Sequence, residues 1–164
     1  MSGDDTPLTH LTEAGEVHMV DVSGKDVTKR TAVAEAVVQM SPGLRDKFFE
    51  GGLAKGDAAA VARVAGIQGA KKTSELVPLC HPIRLDSVEV SLEAVGHGVL
   101  ITASVTATDK TGVEMEAITA VSTAAITVYD MVKGVDRGVT IESVRLLEKT
   151  GGRSGEWVRP EIVD

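Results

Sequence analysis

Aromatic residues are nearly missing from this chain, which has two Phe, one Tyr and one Trp in 164 residues. The core must therefore be built from Ala, Val, Leu, Ile and Met. A stacking platform for nucleic acid bases is not expected, because such platforms need several rings. Cysteine is scarcer still. Cys80 stands alone, so no internal disulfide forms, and a reducing, cytoplasmic setting is expected. No run is long and apolar enough to span a bilayer. Met1–His10 is polar and carries no apolar signal segment. Positive charge is in deficit, with 17 Lys and Arg against 24 Asp and Glu and a net charge of −7. That balance argues against a generic phosphate-backbone binder, and hence against nucleic acid, but permits a local basic pocket. The four histidines and one cysteine show no structural zinc spacing, so no metal site is expected. The glycine run before Lys55 is too short for a Walker loop, and no Ser or Thr follows the lysine.

What remains is a globular composition, 43% hydrophobic and 25% charged, of a length that suits one domain. Residues 1–15 read as a flexible arm, 16–155 as a single α+β domain and 156–164 as a C-terminal tail. Short alternation predicts a first strand over Glu16–Val22. Thr28 is placed to cap a helix over Lys29–Met40, where Ala and Val recur at helical spacing. Ser41-Pro42 opens a short helix to about Phe49. Asp57 caps an Ala-rich helix over Ala58–Ala70, with a further turn over Lys71–Leu76. Pro78 and Pro82 favour an extended segment over Val77–Pro82. Ser87–Val95 and Val99–Thr108 form a hairpin about Gly96-His97-Gly98. Val113–Val132 is the longest helix and Val139–Leu147 the final strand, and Gly151–Asp164 is mostly loose. This order predicts an α+β, ferredoxin-like sandwich, a mainly antiparallel sheet with helices packed on one face. The small residues of Ala58–Ala70 and Ala117–Ala125 allow close helix packing, and core packing is preferred over a subunit interface for them.

Several side chains suit chemistry. Lys55, on a turn before a helix, is either a solvated surface lysine or a group that reaches a phosphate or moves a proton. His81, between two prolines, is either packed beneath a loop or aimed at a ligand, where it suits proton transfer or phosphate binding. Cys80 is too close to His81 in sequence to form a nucleophile pair and reads as packing or a backbone contact. Glu114 and Glu116 open a helix, where the dipole favours carboxylates. A functional reading has one of them bonding a base-like ring and the other orienting a lysine. Asp130 and Lys133 share a helix face, as a surface ion pair or as a coupled acid–base pair. Among the remaining cations are Arg30, Lys71, Lys72, Lys149 and Arg153. Gly151–Gly155 is a loose tail or a phosphate-binding loop. Glu116 and Asp130 are fourteen residues apart, roughly 21 Å on one straight helix. If both serve one site, a neighbouring subunit supplies one of them.

These motifs, taken together and in order, resemble one family. His18–Val22, Lys55-Gly56-Asp57, Ala65–Gln68, Pro78-Leu79-Cys80-His81-Pro82, Thr111–Ala117, Tyr129-Asp130-Met131 and Gly151–Gly155 are similar to stretches of the MoaC family, the cyclic pyranopterin monophosphate synthases of molybdenum cofactor biosynthesis. The resemblance spans about Leu8 to Gly155. It implies an enzyme that converts 3′,8-cyclo-7,8-dihydro-GTP to cyclic pyranopterin monophosphate and releases pyrophosphate, as a cyclising phosphorus–oxygen lyase. It implies Lys55, Asp130 and Lys133 as catalytic residues. Substrate contacts then fall to Leu79, Cys80, His81, Met115 and Glu116, with Glu114 on the pterin side, Arg30, His81 and Lys149 on phosphates, and Asp21 completing the pocket. It implies a ferredoxin-like fold and a homohexamer, a trimer of dimers with sites at a dimer interface. The partners are then a small-molecule substrate and further copies of the chain, with no nucleic acid or membrane. The sequence requires no cofactor and leaves open a divalent ion beside the triphosphate. Arg153 stands where the family commonly has lysine, and Val77 where isoleucine is common. Rival readings are an oligomeric nucleotide-binding module without turnover, and a structural oligomer whose charges solvate helix ends.

Overall fold

A computed structural model describes residues 15–160. Nine elements follow one another: β1 (Thr28–Gln39), α1 (Pro42–Phe49), α2 (Ala58–Lys71), α3 (Thr73–Leu76), β2 (Leu85–Val95), β3 (Gly98–Asp109), α4 (Glu114–Val132), β4 (Thr140–Thr150) and β5 (Trp157–Val158). The sheet order is β2-β3-β1-β4-β5, with every neighbouring pair antiparallel. With α2 and α4 packed on the sheet, this is the expected α+β, ferredoxin-like sandwich.

The expected helix over Lys29–Met40 is a strand. Its buried residues, Ala32, Ala34, Ala36 and Val38, recur every second position, and each is fully shielded from solvent. That period is the strand's, and the intervening Thr31, Val33 and Val37 are β-branched. Alanine's helix propensity is a weak preference. Unbroken pairing along β3, from Thr28↔Asp109 to Gln39↔Gly98, overrides it. The alanines also leave room for helices to approach the sheet.

The expected strand over Glu16–Val22 is likewise absent. Only Val17 makes an isolated bridge, and the segment is mostly exposed. Val77–Pro82 is not uniformly extended either. It starts with a turn closed by the Cys80 N–H donating to the Val77 carbonyl at 3.0 Å. The segment expected to be loose contains β5, which pairs with β4 through Glu148↔Val158 and Lys149↔Trp157. The expected arm lies outside the described residues except for Gly15, as do residues 161–164.

Local signals elsewhere match the structure. The Asp57 side chain accepts from the Ala60 N–H at 2.9 Å and caps α2. Ser41-Pro42 starts α1. The β2–β3 hairpin turns at Gly96-His97. α2 and α4 lie close together because their contact is made of small residues. A Cβ on Gly66 would meet the Ala120 carbonyl oxygen at 3.1 Å and the Ala124 Cβ at 3.3 Å, and one on Gly69 would overlap the Thr123 hydroxyl.

Antiparallel pairing gathers the start of β1, the end of β3 and the end of β4 at one edge of the molecule, as Thr28↔Asp109 and Thr31↔Thr150 show. α4 begins just after β3 at that edge and runs back across the sheet. Its start and its end are therefore on opposite sides of the protomer.

Candidate active site

At the start of α4, two adjoining cavities share Lys25, Thr111, Gly112 and Glu114 in their walls. The smaller holds about 390 Å³ and is lined by Leu79, Cys80 and His81 from the turn after α3, and by Glu114, Met115 and Glu116 from the first turn of α4. Two motifs more than thirty residues apart in sequence thus converge. The larger holds about 720 Å³. Five cationic side chains, Lys25, Arg30, Lys110, Lys149 and Arg153, line it against two carboxylates, Asp26 and Glu114. In a protein of net charge −7, this is a local reversal of sign and suits a polyanion.

Glu116 is 3% exposed. Burial pushes its carboxyl up to about 7, the negative charge of Glu114 adds to this, and a hydrogen bond from its own backbone N–H opposes it. Near neutral pH it is therefore poised between a proton donor and an acceptor. Burial, and then the charge of Glu116, raises the Cys80 thiol. Cys80 is thus a neutral wall residue and no nucleophile. Glu114 curls back over Gly112, where any Cβ would overlap its carboxylate.

Arg30 reaches from β1 across to the end of β3. Its Nε donates to the Asp109 carbonyl and an Nη to the Lys110 carbonyl, both at 3.3 Å. Lys149 donates to the Ser154 hydroxyl. The buried Thr28 hydroxyl, on the same cavity, has no hydrogen-bond partner among the described residues. Asp21 lines neither cavity. Its carboxylate accepts from the Ser23 N–H at 2.8 Å and the Ser23 hydroxyl at 3.0 Å, and these bonds lower its pKa. Its visible work is to shape the turn that carries Lys25. Lys110 pins that turn by donating to the Ser23 carbonyl at 2.7 Å.

At the far end of α4, Asp130 sits between two lysines. Its Oδ1 is 2.6 Å from Lys133 Nζ and its Oδ2 is 2.7 Å from Lys55 Nζ, and Lys55 also donates to the Asp130 carbonyl at 2.7 Å. Hydrogen bonds from Lys133 and then Lys55 hold the Asp130 carboxyl down at about 2. The hydrogen bond to Asp130 raises Lys133 in return. Asp130 is thus held in its charged form, and it aims two lysine side chains that supply hydrogen-bond donors and positive charge. All three side chains are about half exposed. None of them lines the cavities at the start of α4, so the two sets do not share a cavity within one protomer.

Sequence reasoning missed Lys25, Lys110 and Thr28. Lys110 directly precedes the Thr111-Gly112 motif, which was the one available signal. The other two become visible only once β1 is known to be a strand that starts beside the end of β3. Lys71 and Lys72, two of the cations noted in the sequence, lie at the end of α2 away from both cavities, with Lys72 3.8 Å from Glu75.

Residues 19–152 match the MoaC family. The chain is 56% identical over 150 residues to the cyclic pyranopterin monophosphate synthase of Corynebacterium glutamicum (strain R), covering 92% of this chain and 96% of that protein. It is 56% identical over 152 residues to the enzyme of the same name from Streptomyces coelicolor, covering 93% and 89%. The Corynebacterium efficiens enzyme of that name is 57% identical over 150 residues, covering 92% and 97%.

Proposed function

The chain belongs to the MoaC family, and on that premise we propose that it is a cyclic pyranopterin monophosphate synthase, converting 3′,8-cyclo-7,8-dihydro-GTP to cyclic pyranopterin monophosphate and pyrophosphate. The observation that carries this reading is the pair of joined cavities, one small and carboxylate-bearing, the other cationic. Their sizes are those of small-molecule sites. The purine-derived ring fits the first, beside Glu116 and His81. The triphosphate fits the second, against Arg30 and Lys149, with Lys25, Lys110, Arg153 and the Thr28 hydroxyl as further donors.

The reaction opens and rebuilds a ring and closes a cyclic phosphate. Ring rebuilding needs protons delivered and removed near neutral pH, which suits the raised Glu116 carboxyl. Cyclisation forms a phosphorus–oxygen bond from a sugar hydroxyl to the α phosphate and breaks the bond to pyrophosphate. Charge grows on the leaving group, and fixed cations stabilise it. In these terms the enzyme is a phosphorus–oxygen lyase. Lys55 and Lys133, aimed by Asp130, supply protons and positive charge to the reacting atoms.

For that to happen, the two ends of α4 must meet, and a second copy of the chain brings them together. The assembly is a homohexamer, a trimer of dimers, with the Lys55–Asp130–Lys133 group of one protomer completing the cavities of its neighbour. Residues 16–155 form the catalytic domain, flanked by an arm and a tail, and the enzyme works in the cytoplasm. Incubation with the cyclised dihydro-GTP, followed by mass analysis, tests the reading. Equal amounts of cyclic product and pyrophosphate are expected. Tight binding of the substrate without product would favour the non-catalytic binding module instead.

A further inference from the structure

The turn that follows β4 lies against the cationic cavity in an unusual way. Gly151 and Gly152 have φ values of +92° and +72°, which favour glycine. Space is restricted there as well. A Cβ on Gly151 would strike the Lys29 carbonyl oxygen, and one on Gly152 would overlap Nη1 of Arg30. The Arg30 guanidinium therefore occupies the volume that a side chain at position 152 would need.

The rest of that guanidinium is fixed from the opposite side. Nε and one Nη are held by the Asp109 and Lys110 carbonyls. Nη1 is left over, with no hydrogen bond to the described residues, in a group that lines the cavity together with Gly152. A guanidinium held by two carbonyls that still keeps donors free is pre-organised for an anion's oxygens.

We propose that Gly152 is a positioning residue for anion binding: the missing side chain makes the slot in which the Arg30 guanidinium lies, clamped between the end of β3 and the turn after β4. This rests on the reading of the larger cavity as the triphosphate site. Gly152 touches no ligand in this account and acts through Arg30.

The test is a double-mutant cycle on the full-length assembly, with inorganic triphosphate as the probe and calorimetry as the readout. Arg30→Ala weakens binding about tenfold, as expected for one charge-assisted hydrogen-bonding group. Gly152→Ala weakens it by a similar factor in the native background and by less than about twofold when Arg30 is already Ala, because the displaced group is gone. Gly152→Asn separates backbone from side chain. Asn tolerates positive φ better than Ala yet carries the same Cβ, so it weakens binding as Ala does. Melting temperatures fall for Gly152→Ala in both Arg30 backgrounds, since the backbone cost is common to them, and fall less where Arg30 is already Ala, because the overlap with the guanidinium is gone. Equal loss of affinity from Gly152→Ala in both backgrounds overturns the positioning role alone, as does native affinity in Gly152→Asn. Unchanged binding in Arg30→Ala overturns the reading of the cavity and this inference with it.

Discussion

Glu116 and Asp130 carry the same functional group on the same helix, and the protein treats them in opposite ways. Glu116 is buried at the start of α4 and titrates near 7, whereas Asp130 is half-exposed at its end, held by two ammonium groups, and titrates near 2. Environment alone makes the difference, desolvation at one end and hydrogen bonding to cations at the other. A carboxyl near 7 can exchange protons in the cell's pH range. A carboxylate near 2 stays charged and can only aim and stabilise its neighbours. In the proposed reaction the two ends of one helix divide the work, each supplying what the other lacks.

The sharpest way to break this contrast is to remove the charged group at the far end. Lys55→Ala or Asp130→Ala is expected to lower turnover by at least about 100-fold, the usual scale for a lost acid–base group. Circular dichroism and melting should show the fold intact, since the pairs are exposed and add little stability. Normal turnover in either variant would contradict the role given to this end.

The next effect concerns stability at the buried end. The Glu116 carboxyl titrates near 7 in the folded protein against an ordinary value of 4.5. The folded state therefore holds its proton more tightly, and stability falls as pH rises from about 4.5 to 7. The loss above that window is about 3 kcal/mol. Glu116→Gln, which cannot ionise, should flatten the decline and melt higher than the native protein at pH 8, with little difference at pH 4. Parallel melting curves across that range would mean that the carboxyl is not held in its neutral form.

A smaller change is expected in the cationic cavity. Arg30→Ala or Lys149→Ala should each raise the Michaelis constant about tenfold with a lesser change in turnover. The native enzyme's own Michaelis constant should rise with added salt, because screening weakens contacts to a polyanion. His81→Ala should act in the same direction, weakening substrate binding more than folding. Smallest of all is the acid limb at Asp130. Its pKa is depressed, so its contribution is present above the ordinary value of 3.8 and lost as pH falls through about 2. Asp130→Asn and the native chain should therefore converge in melting temperature only in strong acid.

The sequence carried some of this contrast more legibly than the rest. α4 could be read from its length and small residues, and so could the distance between its ends. Asp57 and Ser41-Pro42 marked helix starts because capping is local. β1 was misread because alanine at alternate positions fits a helix by propensity, and a strand only once its partner β3 is known. The smaller cavity followed from the Leu79–His81 and Glu114–Glu116 motifs. The larger did not, because Lys25, Lys110 and Thr28 are scattered in sequence and meet only through strand pairing. The opposite titration of the two carboxyls depends on burial and on Lys55, seventy-five residues from Asp130, and no local pattern encodes that.

Subunit mixing tests most directly whether opposite ends of α4 on two copies form one centre. Asp130→Ala and Glu116→Gln proteins, each lacking the acid–base group of one end of α4 and so nearly inactive alone, would be dissociated, mixed in equal amounts and reassembled, and product formation measured. About a quarter of the native activity should return, because random pairing leaves that share of sites with both ends intact. Mixed assemblies verified by mass that stay as inactive as their parents would contradict a centre shared between protomers.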